Sequence, residues 1–328
     1  MSATLTQNKP AATAPRSATR GWLFGPWFDL LFVANLAWPL IAFAQVGDDF
    51  GGRPGVQFWQ LYYVTTPHRW ITLFIVFFDR ERFAQKRWTF LVLLVGVTVG
   101  CIGVRITTGA LTCLLTIDYI WNAWHFAAQH HGVYRLYQRL GGVRPTAGVA
   151  VEKWVMRLFL LYVAVRVALA TRPDAGLEET LWVVDWIAAA LPGWLIFRAV
   201  TRQWSGARGG LVYLLSVSGL YLGLLWAVHE RRLGLALSLA TASALFHAIE
   251  YLSLVTWMVR RRHASGGTGL LAYFVPRWGA TLVIFMTMLG AVGWLMDQRL
   301  VELWLLVNVV IAFLHYAYDG LIWRRSSL

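Results

Sequence analysis

Charge is scarce in this chain. Acidic and basic residues together make up 14% of the 328 positions, against about 25% in an ordinary soluble protein. Acidic residues are especially few, 16 against 29 basic ones, which leaves a formal net charge of +13. Cysteine is rarer still, with only Cys101 and Cys113. Two cysteines in apolar runs on either side of a short turn make no disulfide framework and no thiolate metal spacing. They read as small buried hydrophobes, with a single bridge between them left open. The opening stretch, MSATLTQNKPAATAPRSATR, lacks the apolar centre of a secretion signal. It reads as a disordered cytoplasmic tail over residues 1–21. The chain also has no H-E-x-x-H, no G-x-x-x-x-G-K-[ST] and no G-x-S-x-G. These absences exclude zinc proteases, P-loop enzymes and nucleophile-elbow hydrolases.

What is abundant is apolar. Hydrophobic residues form 58% of the chain and its mean hydropathy is +0.55. A span needs about 20 predominantly apolar residues. Ten runs approach that length: Phe28–Gln45, Val56–Phe78, Trp88–Val104, Leu111–Gln129, Val155–Ala170, Leu181–Ile196, Leu211–Val228, Leu233–Trp257, Ala280–Met296 and Val301–Trp323. Several sit near the short limit, which leaves eight or nine true spans as the alternative. Loop charge provides an independent test of the count. Basic clusters (Lys9, Arg16 and Arg20; Arg80 to Arg87; Arg135 to Lys153; Arg198 to Arg208; Arg260 to Arg277; Arg324 and Arg325) alternate with loops that are acidic or nearly bare. Under the positive-inside rule this pattern gives ten spans with both termini cytoplasmic. The Glu230–Arg231–Arg232 loop is a mild exception. The expectation is an all-α polytopic transmembrane bundle, with residues 22–328 as a single domain and no repeat. The first partner is the lipid bilayer, and the setting is a bacterial inner membrane. No separate basic domain exists, so nucleic acid is excluded as a partner.

Tryptophan is frequent, with 19 residues. Many stand near the ends of runs, as Trp22, Trp27, Trp88, Trp154 and Trp323 do. Interfacial anchoring accounts for most of them; lining a pocket for a long apolar molecule is the other reading. The Pro192–Gly193 pair is a candidate kink or end of a span.

Polar residues break the pattern at one stretch, Ile117 to Gly132, which carries Asp118, Asn122, His125, Gln129, His130 and His131. At about 100° per residue, Asp118, His125 and Gln129 share one helix face, with Asn122 beside them. His130 and His131 point elsewhere, roughly 140° and 240° round from His125. Ionisable groups in a span face a protein interior or a cavity and mark function by default. Six of the eight histidines lie in runs: His68, His125, His130, His131, His247 and His315. His229 and His263 fall in loops and read as solvated. Counted back from each basic flank, His68, His125, His247 and His315 lie within about 6 Å of one level in the inner leaflet. A single intramembrane imidazole is as readily a packing residue as a ligand. Four from separate helices at matched depth favour a shared site.

Carboxylates accompany them. Glu250 follows His247 by three positions and Asp319 follows His315 by four, both on shared helix faces. Histidine and carboxylate on facing helices form the ligand set of a bundle-core metal centre, and imidazole with carboxylate suits iron, manganese or zinc. Glu250 or Asp319 would complete the coordination, while Tyr251 or Tyr316 would assist proton transfer. Asp29, Asp118, Asn122 and Gln129 would orient the imidazoles from behind. For Asp29 and Asp118, a salt bridge to Arg69 or another basic group is the alternative. The expected activity is a non-haem iron oxygenase, dioxygenase or desaturase, with an apolar lipid or isoprenoid substrate and a cytoplasmic electron donor. Three alternatives stay open. They are a b-type haem electron-transfer protein, a proton-coupled transporter, and a pigment-binding or assembly subunit of a membrane complex.

The run from His125 to His131 resembles one histidine box of the membrane desaturases and hydroxylases, which carry three. The wider plan is similar to the bacterial β-carotene dioxygenases of Brp/Blh type, with single histidines on separate helices and the local pieces Pro67–His68 and His125–Phe126. That resemblance implies a non-haem iron centre acting on a carotenoid or a similar isoprenoid. The chain departs from that family's Pro-His-Gly-x-x-Asp pattern, because Arg69 follows His68 and no acid follows closely.

Overall fold

A computed structural model describes residues 21–46, 58–143, 148–171, 175–203, 208–264 and 270–323. The tail expected over 1–21 lies outside them except for Gly21, as do Arg324 and Arg325. Among the described residues every regular element is helical. Ten helical stretches follow one another: α1 (Pro26–Val46), α2 (58–78), α3 (Arg80–Thr108), α4 (Thr112–Leu140), α5 (Val149–Ala170), α6 (Ala175–Gln203), α7 (Arg208–His229), α8 (Leu233–Ala264), α9 (Leu270–Arg299) and α10 (Val301–Ile322). Seven of them (α1, α3, α6, α7, α8, α9 and α10) are long and apolar enough to cross a membrane. This is an integral membrane protein. The other three stretches fall outside that measure for visible reasons: α2 carries Gln60, Pro67, His68 and Arg69, α4 carries the polar run, and α5 holds Glu152, Lys153, Arg157 and Arg166.

The helices outrun the apolar windows that announced them. Arg135 and Arg139 belong to α4, Arg198 and Arg202 to α6, and Arg260, Arg261 and Arg262 to α8, although the sequence placed all of them in loops. Arginine is a good helix former, so positive charge marks where hydrocarbon ends and not where the helix ends. Pro192, a candidate kink, sits inside α6 without terminating it.

Two interruptions matter for function. In α2, Pro67 lacks an N–H and its ring would meet the carbonyl four residues back in a regular helix. The backbone takes a widened π-type turn over Leu61–Thr65 just before it, and a regular helix resumes at Thr66. Such turns occur often at functional sites, and here His68 lies in the first turn of the regular segment. In α1 a similar turn covers Asp29–Val33, and Asn35 then adopts a φ of 45°. Asparagine tolerates that left-handed conformation better than most residues. The break is tied to neighbouring helices: Asn35 donates from Nδ2 to the Phe246 carbonyl at 3.2 Å, and Ser216 Oγ donates to the Ala34 carbonyl at 2.6 Å.

The outer surface is apolar. On α3, Val92, Val95, Val99 and Ile106 recur every three to seven residues on an exposed stripe, and Val283, Ile284 and Met288 are exposed on α9. A contiguous face of this kind is intolerable in water but matches hydrocarbon. Inside, α7, α8 and α10 are the most enclosed. One apolar cluster joins α1 with α4 to α8, around Tyr213, Leu214 and Phe159. A second joins α2, α3, α8, α9 and α10, around Ile71, Val255 and Leu314. Trp257 and Trp323 pack against both. The polar residues of α2, α4, α8 and α10 meet along the seam between the two clusters.

Three further expectations change. Cys101 is buried and Cys113 exposed, both as free thiols, so no bridge joins them. Cys113 therefore faces outward and is not buried. His229 is not solvated. It lies between Trp182 and Trp186 with Nδ1 3.0 Å from the Asp185 carboxylate. That carboxylate also accepts from Tyr162 and Arg166, and Arg166 forks onto Glu178 at 3.0 and 2.9 Å, forming a charge network that ties α5, α6 and α7.

Candidate metal centre

Helix phase brings the histidines together. His68 on α2, His125 on α4, His247 on α8 and His315 on α10 all point into the seam, each less than a tenth exposed. Their ring centroids are 4.7 to 5.2 Å apart for the pairs His68–His247, His68–His315, His125–His247 and His125–His315. Ring planes meet at 69° to 90°, so the rings pack edge to face and do not stack. Two overlapping sets are placed to hold a cation, His68–His247–His315 and His125–His315–Asp319. Within each set the ligand atoms lie no more than 4.8 Å apart. Asp319 Oδ2 stands 3.8 Å from His125 Nε2 and 3.9 Å from His315 Nε2. These distances are too long for hydrogen bonds. They suit two donors around one ion, since ligand atoms each about 2.1 Å from a common metal stand roughly 3–4 Å apart.

The remaining hydrogen bonds decide which ring nitrogen is free. Tyr251 Oη donates to Asp319 Oδ1 at 2.6 Å. Its only proton is thereby committed, so Thr72 Oγ1, 2.7 Å away, must donate to the Tyr251 oxygen. The same logic makes His315 Nδ1, 2.6 Å from Thr72 Oγ1, the N–H that donates to the threonine. The chain His315–Thr72–Tyr251–Asp319 thus fixes one tautomer and leaves a lone pair on His315 Nε2. That is how a metal-binding imidazole is usually held. Several cluster nitrogens have no protein partner: His68 Nδ1, His125 Nε2, both nitrogens of His247 and His315 Nε2. A buried polar atom left unsatisfied costs roughly 1–3 kcal/mol. Five such atoms on one seam are the signature of a site built for a ligand. The donor set, neutral imidazoles with one carboxylate, fits a borderline divalent cation.

Other anticipated residues take different positions. His130 turns into a second buried triad: Nδ1 lies 2.7 Å from Tyr213 Oη and 3.0 Å from Glu250, and Tyr213 donates to Glu250 at 2.9 Å. Glu250 therefore pairs with His130 and Tyr213 and stands outside the two cation-holding sets. His131 lies apart from both, partly exposed among Arg135, Lys153 and Arg157, as its phase on α4 requires. Gln129 donates from Nε2 to the His247 carbonyl at 3.3 Å and so braces α8 against α4. Asp118 and Asn122 both lie 2.9 Å from the Tyr316 hydroxyl, and Arg69 approaches Asp118 at 3.8 Å. That network backs His125, whose ring is 4.8 Å from that of Tyr316. Asp29 does not reach the histidines. Its carboxylate accepts from the backbone N–H groups of Leu23 and Phe24 at 2.6 and 3.0 Å, closing the turn that leads into α1. It was misplaced because a carboxylate low in a first span reads alike whether it faces a site or caps a turn.

No protein family, curated protein or solved structure matches this chain.

Three contributors escaped the sequence reading. Thr72 lies one helical turn beyond His68, and that spacing was a usable signal. Phe126, whose ring stacks on His247 at 3.9 Å, and Tyr213 gave none, since an aromatic residue in an apolar run is ordinary. Beside the cluster opens a cavity of about 370 Å³. His125, Tyr316 and Asp319 form part of its lining, and Trp121, Trp124, Trp257 and Trp323 form much of its walls. Trp323, expected at an interface, thus lines the cavity, whereas Trp27, Trp88 and Trp154 face outward.

Proposed function

We propose that this protein is a membrane metalloenzyme, a non-haem iron oxygenase or desaturase acting on a long apolar substrate. The observation that carries the reading is the convergence of four imidazoles and Asp319 from four elements, in two overlapping sets whose ligand atoms lie within 4.8 Å of one another in each set and whose imidazoles include nitrogens without a protein partner. His315, His125 and Asp319 would hold the ion, with His68 and His247 completing the coordination. Iron held by such a set would supply one-electron chemistry with O2. The protein's own part is positional. The Thr72–Tyr251 chain keeps His315 in one tautomer and Asp319 in one orientation. Tyr316, whose hydroxyl is held by Asp118 and Asn122, forms part of the cavity lining beside His125 and keeps that ring in place. The tryptophan walls seat the substrate and keep bulk water away from the reacting carbon. A carotenoid or other isoprenoid fits this lining, consistent with the resemblance to β-carotene dioxygenases.

The same reading takes all ten helices as spans, with both termini at the cytoplasmic face of a bacterial inner membrane and an electron donor on that side. Manganese or zinc would use the same donors. A b-type haem is disfavoured by geometry, because rings packed edge to face at about 5 Å leave no room for a porphyrin plane between an axial pair. The test is to purify the protein in detergent, quantify its metals and record its visible spectrum. Iron without a Soret band, lost in the double variant H125A/H315A, is the expected result. A metal-free wild type, a Soret band, or unchanged metal in that variant would overturn the proposal.

A further inference from the structure

The cavity beside the cluster has a charge imbalance that a purely apolar substrate does not explain. Arg157, on α5, reaches into its wall, and Arg139 lies in the same lining. The Arg157 guanidinium carbon sits 4.2 Å from the centre of the Trp124 ring and 5.8 Å from that of Trp154. Its Nε is buried without a hydrogen-bond partner. Among the described residues it makes no ion pair, whereas Arg82, Arg105, Arg166, Arg198 and Arg262 all do. The one carboxylate in the cavity lining is Asp319, already held by Tyr251 and turned toward the imidazoles. The nearby charges on α4 and α5, Arg135 and Lys153, are also positive.

A planar guanidinium braced on an indole in the lining of an aromatic cavity, with a buried N–H that no protein group accepts, is a preorganised fork for an oxyanion. Interactions with charge inside a span are strong because water is scarce there. Ala128, Gly132, Val133 and Leu136 extend the lining along α4 with small or apolar side chains, leaving width for a chain. We infer that the cavity takes a long-chain amphiphile with an anionic headgroup, a carboxylate or a phosphate. The headgroup seats on Arg157 and the apolar chain lies between the tryptophans. This rests on the reading of the cavity as the substrate site and narrows the substrate class to acidic long-chain lipids, away from an uncharged carotenoid.

The test uses the full-length protein in a non-ionic detergent, with fluorescent cis-parinarate as a displaceable probe excited through the wall tryptophans. Oleate, oleyl alcohol and oleoyl lysophosphatidate are the competitors. Wild type should be displaced by an anionic competitor at about tenfold or more lower concentration than by the alcohol. The R157Q variant should lose that preference while still binding the alcohol, and R157K, which keeps the charge, should retain part of it. Preference for oleate identifies a free fatty carboxylate, and preference for lysophosphatidate a membrane phospholipid headgroup. Equal displacement by alcohol and anions in wild type, or an undiminished preference in R157Q, overturns the inference. Metal content is read in the same samples. Metal present without anion preference sinks this inference alone, whereas anion preference without metal sinks only the proposed enzyme.

Discussion

Replacing Thr72 with valine is the most exacting test of the proton chain. The substitution keeps the shape and removes a hydroxyl that accepts from His315 Nδ1 and donates to Tyr251. Both partners are buried, so each loses a hydrogen bond that nothing nearby replaces, at roughly 1–3 kcal/mol apiece. In the metal-bound protein the effect concentrates on His315, whose ring is then free to rotate or change tautomer. Loss of such an orienting partner typically lowers metal affinity about 10- to 100-fold, which is roughly 1.4–2.7 kcal/mol. The assay is competition with a graded chelator on purified protein, reporting the metal dissociation constant for wild type, T72V and T72S. Serine retains the hydroxyl and should stay within about threefold of wild type, while valine should fall by at least tenfold. Equal constants for wild type and T72V, in a protein where H315A does lose metal, would refute the tautomer argument. Thr72 would then be a packing residue that happens to lie between polar groups.

Other outcomes follow from the same geometry. Asp319→Asn keeps the contact to Tyr251 but removes the charge facing His125 and His315, so metal affinity should drop by at least tenfold with little change in melting temperature; retention of full affinity would take Asp319 out of the coordination. Arg166→Met leaves Glu178 and Asp185 without their cation, which should cost about 3–5 kcal/mol and lower the melting temperature while metal content stays unchanged. A β-carbon at Gly209 would stand 2.6 Å from the backbone carbonyl of Gly21, which cannot rotate away, so Gly209→Ala should destabilise by about 1–3 kcal/mol in a thermal melt. A lipid-soluble maleimide should label Cys113 and spare Cys101 in the folded protein; equal labelling would contradict the outward orientation of Cys113.

The sequence alone determined the class of protein and the identity of its unusual residues. Hydrophobic runs of fixed length and alternating loop charge are local quantities, set by bilayer thickness and membrane polarity. They needed no tertiary information to announce a helical membrane bundle. Helix phase and depth were also legible, so His68, His125, His247 and His315 stood out as a group at one level. What the sequence could not determine was which groups share a partner, since that depends on how α2, α4, α8 and α10 rotate and pack against each other. Packing decided that Glu250 joins His130 and Tyr213 and that Asp29 closes a turn. It also recruited Thr72, placed Phe126 against His247, and left Arg157 unpaired in the wall of a tryptophan-lined cavity. Hydrophobic burial is non-directional and can be read from composition and periodicity. Hydrogen bonds and coordination are directional, and appear only once the helices have taken their final rotations.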